Sequence, residues 1–208
     1  MNIDGPQYLK DIDNIAKKYG IAETYSYSDD MLVNEMFVVL VRETILSSIC
    51  SMGAVFLVVI MITGSLPISC VVSLSVMLVY LGLSALIPLW DLTLNNVVVV
   101  HLVASLGLSV LYSAHIAHSY LLSEPPLELS VKRQRVWKAQ VALGRMGSSM
   151  LHGIMAAAIA VNIAGAQQGS YFFIVFFKMW TGIIVFGCAN AFIFIPITLS
   201  IMGPTPDF

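Results

Sequence analysis

The charged residues of this chain are segregated, and that segregation limits its fold more than any other feature. No Asp, Glu, Lys or Arg occurs from Thr44 to Trp90, from Leu92 to Ser123, from Met146 to Phe177, or from Met179 to Pro206. A helix needs about 20 apolar residues to cross the hydrocarbon core of a bilayer. The first stretch has room for two crossings and each of the others for one. Charged residues make up only 11% of the 208, against about a quarter in an ordinary soluble domain. The expected fold is an all-α membrane protein. Residues 44–202 form a five-span bundle, 1–43 precede it, and 203–208 form a short tail.

The first span is expected at Thr44–Ile62, closed by Gly64 and Pro67, and the second at Ile68–Leu89, with Trp90 and Asp91 at an interface. The third is Asn96–Leu122, the fourth Met150–Ala166, and the fifth Trp180–Met202, kinked near Pro196. Tyr171–Met179 reads as a lead-in along the interface, with Lys178 reaching toward the headgroups.

Ahead of the spans, Asp4–Gly20 predicts a short amphipathic helix with Tyr8, Ile12, Ile15 and Tyr19 on one face. Glu23–Ser28 alternates like a strand, and Asp29–Glu43 predicts a helix leading into the membrane. Such a segment is too short to bury a core of its own. It also lacks a secretory leader pattern. Residues 1–43 therefore read as the tail of an extracytosolic α+β domain belonging to a longer chain.

Orientation rests on one loop. Residues 123–146 hold Lys132, Arg133, Arg135, Lys138 and Arg145, whereas the loops at Asp91–Asn95 and Gln167–Ser170 hold no basic residue. The positive-inside rule places 123–146 in the cytosol, so an odd number of crossings leaves 1–43 outside it and 203–208 inside. Within this loop Ser130–Gly144 predicts a helix at the cytosolic membrane surface.

Composition also excludes function classes. A net charge of −2 offers no basic face for a nucleic acid. Cys50, Cys70 and Cys188 all sit in apolar runs and read as small buried hydrophobes rather than a disulfide or metal set. No zinc spacing, phosphate loop or nucleophile elbow occurs, so neither an enzyme nor a cofactor is expected.

The third span carries the unusual chemistry. Leu106–Tyr120 includes Ser109, Tyr112, Ser113, His115, His118 and Ser119, and His101 adjoins it. Polar and titratable groups at membrane depth are costly and tend to face a bundle interior or a watery path. His101 and His115 are fourteen residues apart, about 21 Å along the axis and within ~40° in azimuth. Three readings stand side by side. The histidines form a titratable track, or they ligate a metal with His152 as the available partner, or they are buried imidazoles hydrogen-bonded between helices. On the fourth span Ser149, Gly153 and Ala157 recur every fourth residue, a spacing that lets helix backbones approach closely in lipid, and Gly107 and Gly187 could act likewise.

SLGLSVLYSAHIAHSY, then ALGRMGSSM, YFFIVFFKMW and FIFIPITLSIMGP, together resemble the C-terminal membrane half of the Niemann-Pick type C and Patched-like proteins of the resistance-nodulation-division superfamily. The resemblance runs from Glu23 to Pro204. It implies a chain of two similar halves, of which this is the second half's last five spans, with the sterol-sensing domain in the other half. It further implies a sterol or lipid transporter in an endosomal, lysosomal or plasma membrane. The partners would be a membrane lipid or sterol, and the missing half or another copy. His115 matches the family's histidine. The acid implied one turn earlier is Leu111 here, and the histidine–glycine pair implied in the last span is Asn190–Ala191. His101, Ser109, Tyr112, His115, His118 and Asn190 are thus the candidate intramembrane polar or proton-relay set. A lipid-sensing receptor of the Patched type, without transport, is the alternative.

The basic loop generates a direct test. With single cysteines and an impermeant thiol reagent on sealed vesicles, position 135 should label only from the cytosolic side and position 25 only from the opposite side.

Overall fold

The computed structural model describes residues 5–20, 29–126, 128–166 and 169–204. The described residues are overwhelmingly helical, as lipid requires, because a helix satisfies its backbone hydrogen bonds within one segment. The elements are α1 (Gly5–Lys18), α2 (Asp29–Thr63), α3 (Leu66–Leu89), α4 (Asn96–Leu121), α5 (Val131–Gly165), α6 (Tyr171–Ala189), a π-turn at Asn190–Phe194, and α7 (Ile195–Met202). Five stretches are long and apolar enough to cross a membrane, the last being continuous from Tyr171 to Met202. The chain is a multi-pass membrane protein with an all-α fold.

Contacts divide the chain into residues 1–47 and 48–208. In the first unit α1 is amphipathic, with Lys17 bonded to Asp13 one turn before it at 2.6 Å. Its Ile15 and Tyr19 remain exposed. The expected cap at Asp4 and the expected strand at Glu23–Ser28 lie outside the described residues.

Three pairs of expected segments join into continuous helices. The lead-in helix and first span form one helix, α2. The helix at the basic loop and the fourth span likewise form one, α5. Tyr171–Met179 begins the last span rather than lying apart from it. No Pro lies at any of these junctions, and an unbroken ladder leaves fewer backbone groups unpaired than a break would.

In the second unit, hydrogen bonds at the helix ends establish which ends lie together. Lys178 at the start of α6 donates to Trp90 O at the end of α3, at 2.9 Å. Tyr171 Oη, also at the start of α6, lies 3.1 Å from Thr93 Oγ1 and accepts from Asn95 Nδ2 at 3.4 Å. At the opposite end, Arg135 at the start of α5 donates to Ile201 O of α7 at 2.8 Å. Tyr120 at the end of α4 donates to Pro204 O at 3.4 Å, and Lys138 Nζ sits 4.6 Å from the centre of the Tyr120 ring. The last span therefore runs from one end of the unit to the other and is a full crossing. Two of the loop's basic residues also have a second task. Arg135 meets carbonyls where the helix dipole is negative, and Lys138 covers an aromatic face.

Two turns explain themselves from sequence. Gly64 ends α2 at φ +61, where a side chain would be strained, and Pro67 opens α3 in the first turn, where its missing N–H costs nothing. Asp91 adopts φ 50 after α3, with its N–H on Pro88 O and that of Leu92 on Ile87 O, a Schellman closure with aspartate in the glycine position.

The core has two apolar clusters. One gathers Ile68, Val72, Leu106, Ile116, Tyr120, Ile195 and Leu199; the other gathers Val79, Leu83, Val98, Leu102, Met179 and Ile183. At Gly182, α6 comes close against α3. A Cβ there would come 2.7 Å from Leu83 and 3.3 Å from Trp90. Gly153 leaves open space at the same test. Gly182→Val should therefore destabilise the protein by about 1–3 kcal/mol through overpacking. Gly153→Val should stay near neutral, with only its backbone-propensity effect. Thermal unfolding of both variants in nanodiscs reads the difference.

Candidate functional site

Three polar side chains from three segments meet deep in the second unit. Asn190 Nδ2 donates to Ser75 Oγ at 3.1 Å and to Ser113 Oγ at 3.2 Å. The two serine oxygens are 3.2 Å apart, and Ser75 also donates to Val72 O at 2.8 Å. Both serines are fully enclosed, and Asn190 is 6% exposed.

Asn190 opens the π-turn, and its position has a backbone cause. Pro196 has no N–H to give the carbonyl four residues earlier, so the ladder must adjust there. It does so by widening: Ile195 N–H bonds Asn190 O, five residues back. The expected kink at Pro196 thus takes the form of a π-turn on its N-terminal side.

Beside this turn lies a groove of about 450 Å³, lined by Leu78, Val79, Phe186, Ala189, Asn190, Ile193, Phe194, Ile197 and Thr198. Its walls are hydrocarbon apart from Asn190 and Thr198. The Thr198 hydroxyl is committed to Phe194 O at 2.8 Å.

The histidines do not share one environment. His101 is 8% exposed, meets Phe176 edge to face at 5.6 Å, and places Nδ1 2.6 Å from Val97 O. His115 and His118 are exposed and make no hydrogen bond among the described residues. They extend an outward stripe on α4 with Val100, Ala104, Gly107 and Leu111. His101 and His115 share a general azimuth, but Phe176 from α6 covers only the first. His152 is also exposed and bonds Ser148 O at 2.7 Å within its own helix. Among the described residues, no three His, Cys, Asp or Glu side chains gather closely enough to hold a metal.

Ser109 is buried and donates to Ser105 O at 2.6 Å, within α4. Tyr112 is half-buried, and Gly187 faces its ring with room for a Cβ at 3.6 Å. Gly107, Ser149 and Gly153 are exposed, and Ala157 is half-buried. The sequence-derived residues thus separate into an inward group (His101, Ser109, Tyr112, Gly187, Asn190) and an outward group (Gly107, His115, His118, Ser149, Gly153). Ser75 was missed by sequence reasoning. Ser73 stands two residues before it in the same helix, and the partner of Ser75, Asn190, is 115 positions away.

No protein-family profile matches the chain. The pig NPC intracellular cholesterol transporter 1 is 29% identical over 198 residues, which is 92% of this chain and 15% of that protein. The Drosophila melanogaster NPC intracellular cholesterol transporter 1 homolog 1b is 28% identical, covering 88% of this chain and 14% of its own length. Its relatives are Niemann-Pick type C1 proteins. A Niemann-Pick type C1-related protein of Toxoplasma gondii is 30% identical over 64% of this chain and 11% of its own length. The chain spans about a seventh of the Niemann-Pick type C1 proteins it matches over most of its length. The similarity covers the membrane spans, consistent with a Niemann-Pick type C-like membrane region.

The serine–asparagine contact predicts a contrast in stability. Asn190→Ala should cost about 1–2 kcal/mol, since it strips two buried hydroxyls of a partner. His115→Ala, on the outward face, should stay within about 0.5 kcal/mol. Thermal unfolding in nanodiscs measures both.

Proposed function

We propose that this chain supplies five spans of a membrane bundle that moves a sterol or a similar apolar lipid. The supporting observation is likeness, across 92% of the chain, to a protein named as an intracellular cholesterol transporter. An apolar groove of about 450 Å³ beside a buried amide suits such cargo, whose body is hydrocarbon and whose polar part is small. On this reading the chain is not an enzyme, and it works in an endosomal, lysosomal or plasma membrane. Residues 1–43 end an extracytosolic domain, 44–202 form the bundle, 123–146 face the cytosol and 203–208 are a cytosolic tail. The outward face bearing Gly107, His115, His118, Ser149, Gly153 and Ala157 packs on a further set of membrane helices, from the other half of a longer chain or from another copy.

A receptor-like reading, lipid sensing without pumping, has one observation in its favour. Leu111, one turn before His115 on the outward stripe, is 51% exposed and carries no charge to share with the imidazole. His115 and His118 are then the titratable groups through which any proton coupling would act.

Sterol transfer between reconstituted vesicles, with and without a proton gradient, separates the two readings: a transporter transfers sterol and a receptor binds it without transfer. If protons are coupled, transfer by the wild type should depend on pH. His115→Ala should flatten that dependence and Leu111→Glu should strengthen it. An unchanged pH profile in His115→Ala removes the relay role.

A further inference from the structure

We propose that the groove beside the π-turn binds a neutral lipid by a single hydroxyl, which donates its hydrogen bond to Oδ1 of Asn190. The proposal rests on the lipid-handling reading above and adds the ligand's polar group and the atom that receives it.

The hydrogen bonds fix which way the Asn190 amide faces. Ser75 spends its hydroxyl hydrogen on Val72 O, so toward Asn190 it can only accept. Nδ2 must therefore face the serines, where it makes both of its bonds, and Oδ1 must face away from them. Oδ1 makes no hydrogen bond among the described residues, although Asn190 is 6% exposed, and the residue borders the groove. In hydrocarbon, water does not satisfy such an oxygen, and leaving it bare is costly. Thr198 donates its own hydrogen to Phe194 O, so toward a ligand its hydroxyl can only accept and is a second acceptor on the groove wall.

The remaining walls define the rest of the ligand. Leu78, Phe186, Ile193 and Ile197 present hydrocarbon, and no Lys, Arg, Asp or Glu lines the groove. A phosphate or ammonium headgroup would find no countercharge there, whereas a hydroxyl needs only the one acceptor. The volume falls within the range of about 300–1,000 Å³ typical of small-molecule sites.

The test uses the full chain in nanodiscs, labelled with a photoactivatable cholesterol and mapped by peptide mass spectrometry. Labels should fall on groove residues of α3, α6 and α7, and cholesterol should displace them. The 3-methyl ether of cholesterol, which has no hydrogen to donate, should compete roughly two- to tenfold less well, the worth of one hydrogen bond. Ile193→Trp fills the groove without touching the serine–asparagine contact and should cut groove labelling at least about fivefold. Equal competition by the methyl ether, the behaviour of annular lipid only, overturns the proposal. So does undiminished labelling in Ile193→Trp. Sterol transfer measured on the same preparations distinguishes the two failures. Transfer that persists beside hydroxyl-independent labelling overturns this site alone, and loss of both labelling and transfer in the wild type overturns the lipid-handling reading as well.

Discussion

A bilayer core offers no water to polar groups, so leaving one there without a partner in the protein is costly. In this bundle the Asn190–Ser75–Ser113 contact lowers that cost for three segments at once. Apolar packing between lipid-facing helices is weakly directional, because lipid tails are as apolar as leucine. A hydrogen-bonded triangle of sides 3.1, 3.2 and 3.2 Å is not. It fixes the axial register of α3, α4 and the π-turn relative to one another. The two apolar clusters fill in around that register, and Gly182 allows α6 to come close against α3 where Leu83 and Trp90 project.

The ends of the bundle are fastened by a different device. Helix C-termini expose carbonyls, and those of α3 and α7 each receive a cation from another helix: Lys178 onto Trp90 O, and Arg135 onto Ile201 O. Gly203 is constrained by the same arrangement, since a Cβ there would collide with the Tyr120 hydroxyl and with Leu199 O. A lysine read from sequence as reaching for headgroups, and an arginine read as a topology signal, are therefore also caps. Both roles suit a long side chain with an apolar stem and a charged tip.

The spans and their number were legible in the sequence because segregation of charge is a property of long windows. So was the resemblance to Niemann-Pick type C proteins, which the relatives bear out. Continuity at residues 43–44, 144–150 and 179–180 was not legible, since polar residues within a helix look like boundaries when only local composition is read. The candidate site was legible in part. Asn190 was singled out for the position it occupies, but its partners Ser75 and Ser113 are each one of several hydroxyls on their helices. Such serines are common in membrane helices, where they bond their own backbone, as Ser105 and Ser109 do here. Which serine instead meets another helix is a tertiary fact that neither spacing nor composition encodes. The outward position of His115 and His118 follows equally from neighbours: Phe176 covers His101, and no described residue does the same two turns or more further along.

The last span carries a further regularity in its apolar residues. Beside Gly182 and Asn190, the buried positions of the last span are Val175, Met179, Ile183, Gly187, Ala191, Ile195 and Leu199, and these seven fall four residues apart. An α-helix has 3.6 residues per turn, so a strict four-residue repeat drifts by about 40° per step. Carried along six steps, that drift would turn the later residues away from the core. A π-turn is wider than an α-turn, and inserting one restores Ile195 and Leu199 to the buried face. Pro196 supplies the local reason for the widening, and the four-residue repeat supplies the global one. The same insertion directs Asn190 inward to the serines while its flank borders the groove. The one buried amide of this span is thus placed by a backbone adjustment that the packing of its apolar neighbours already required.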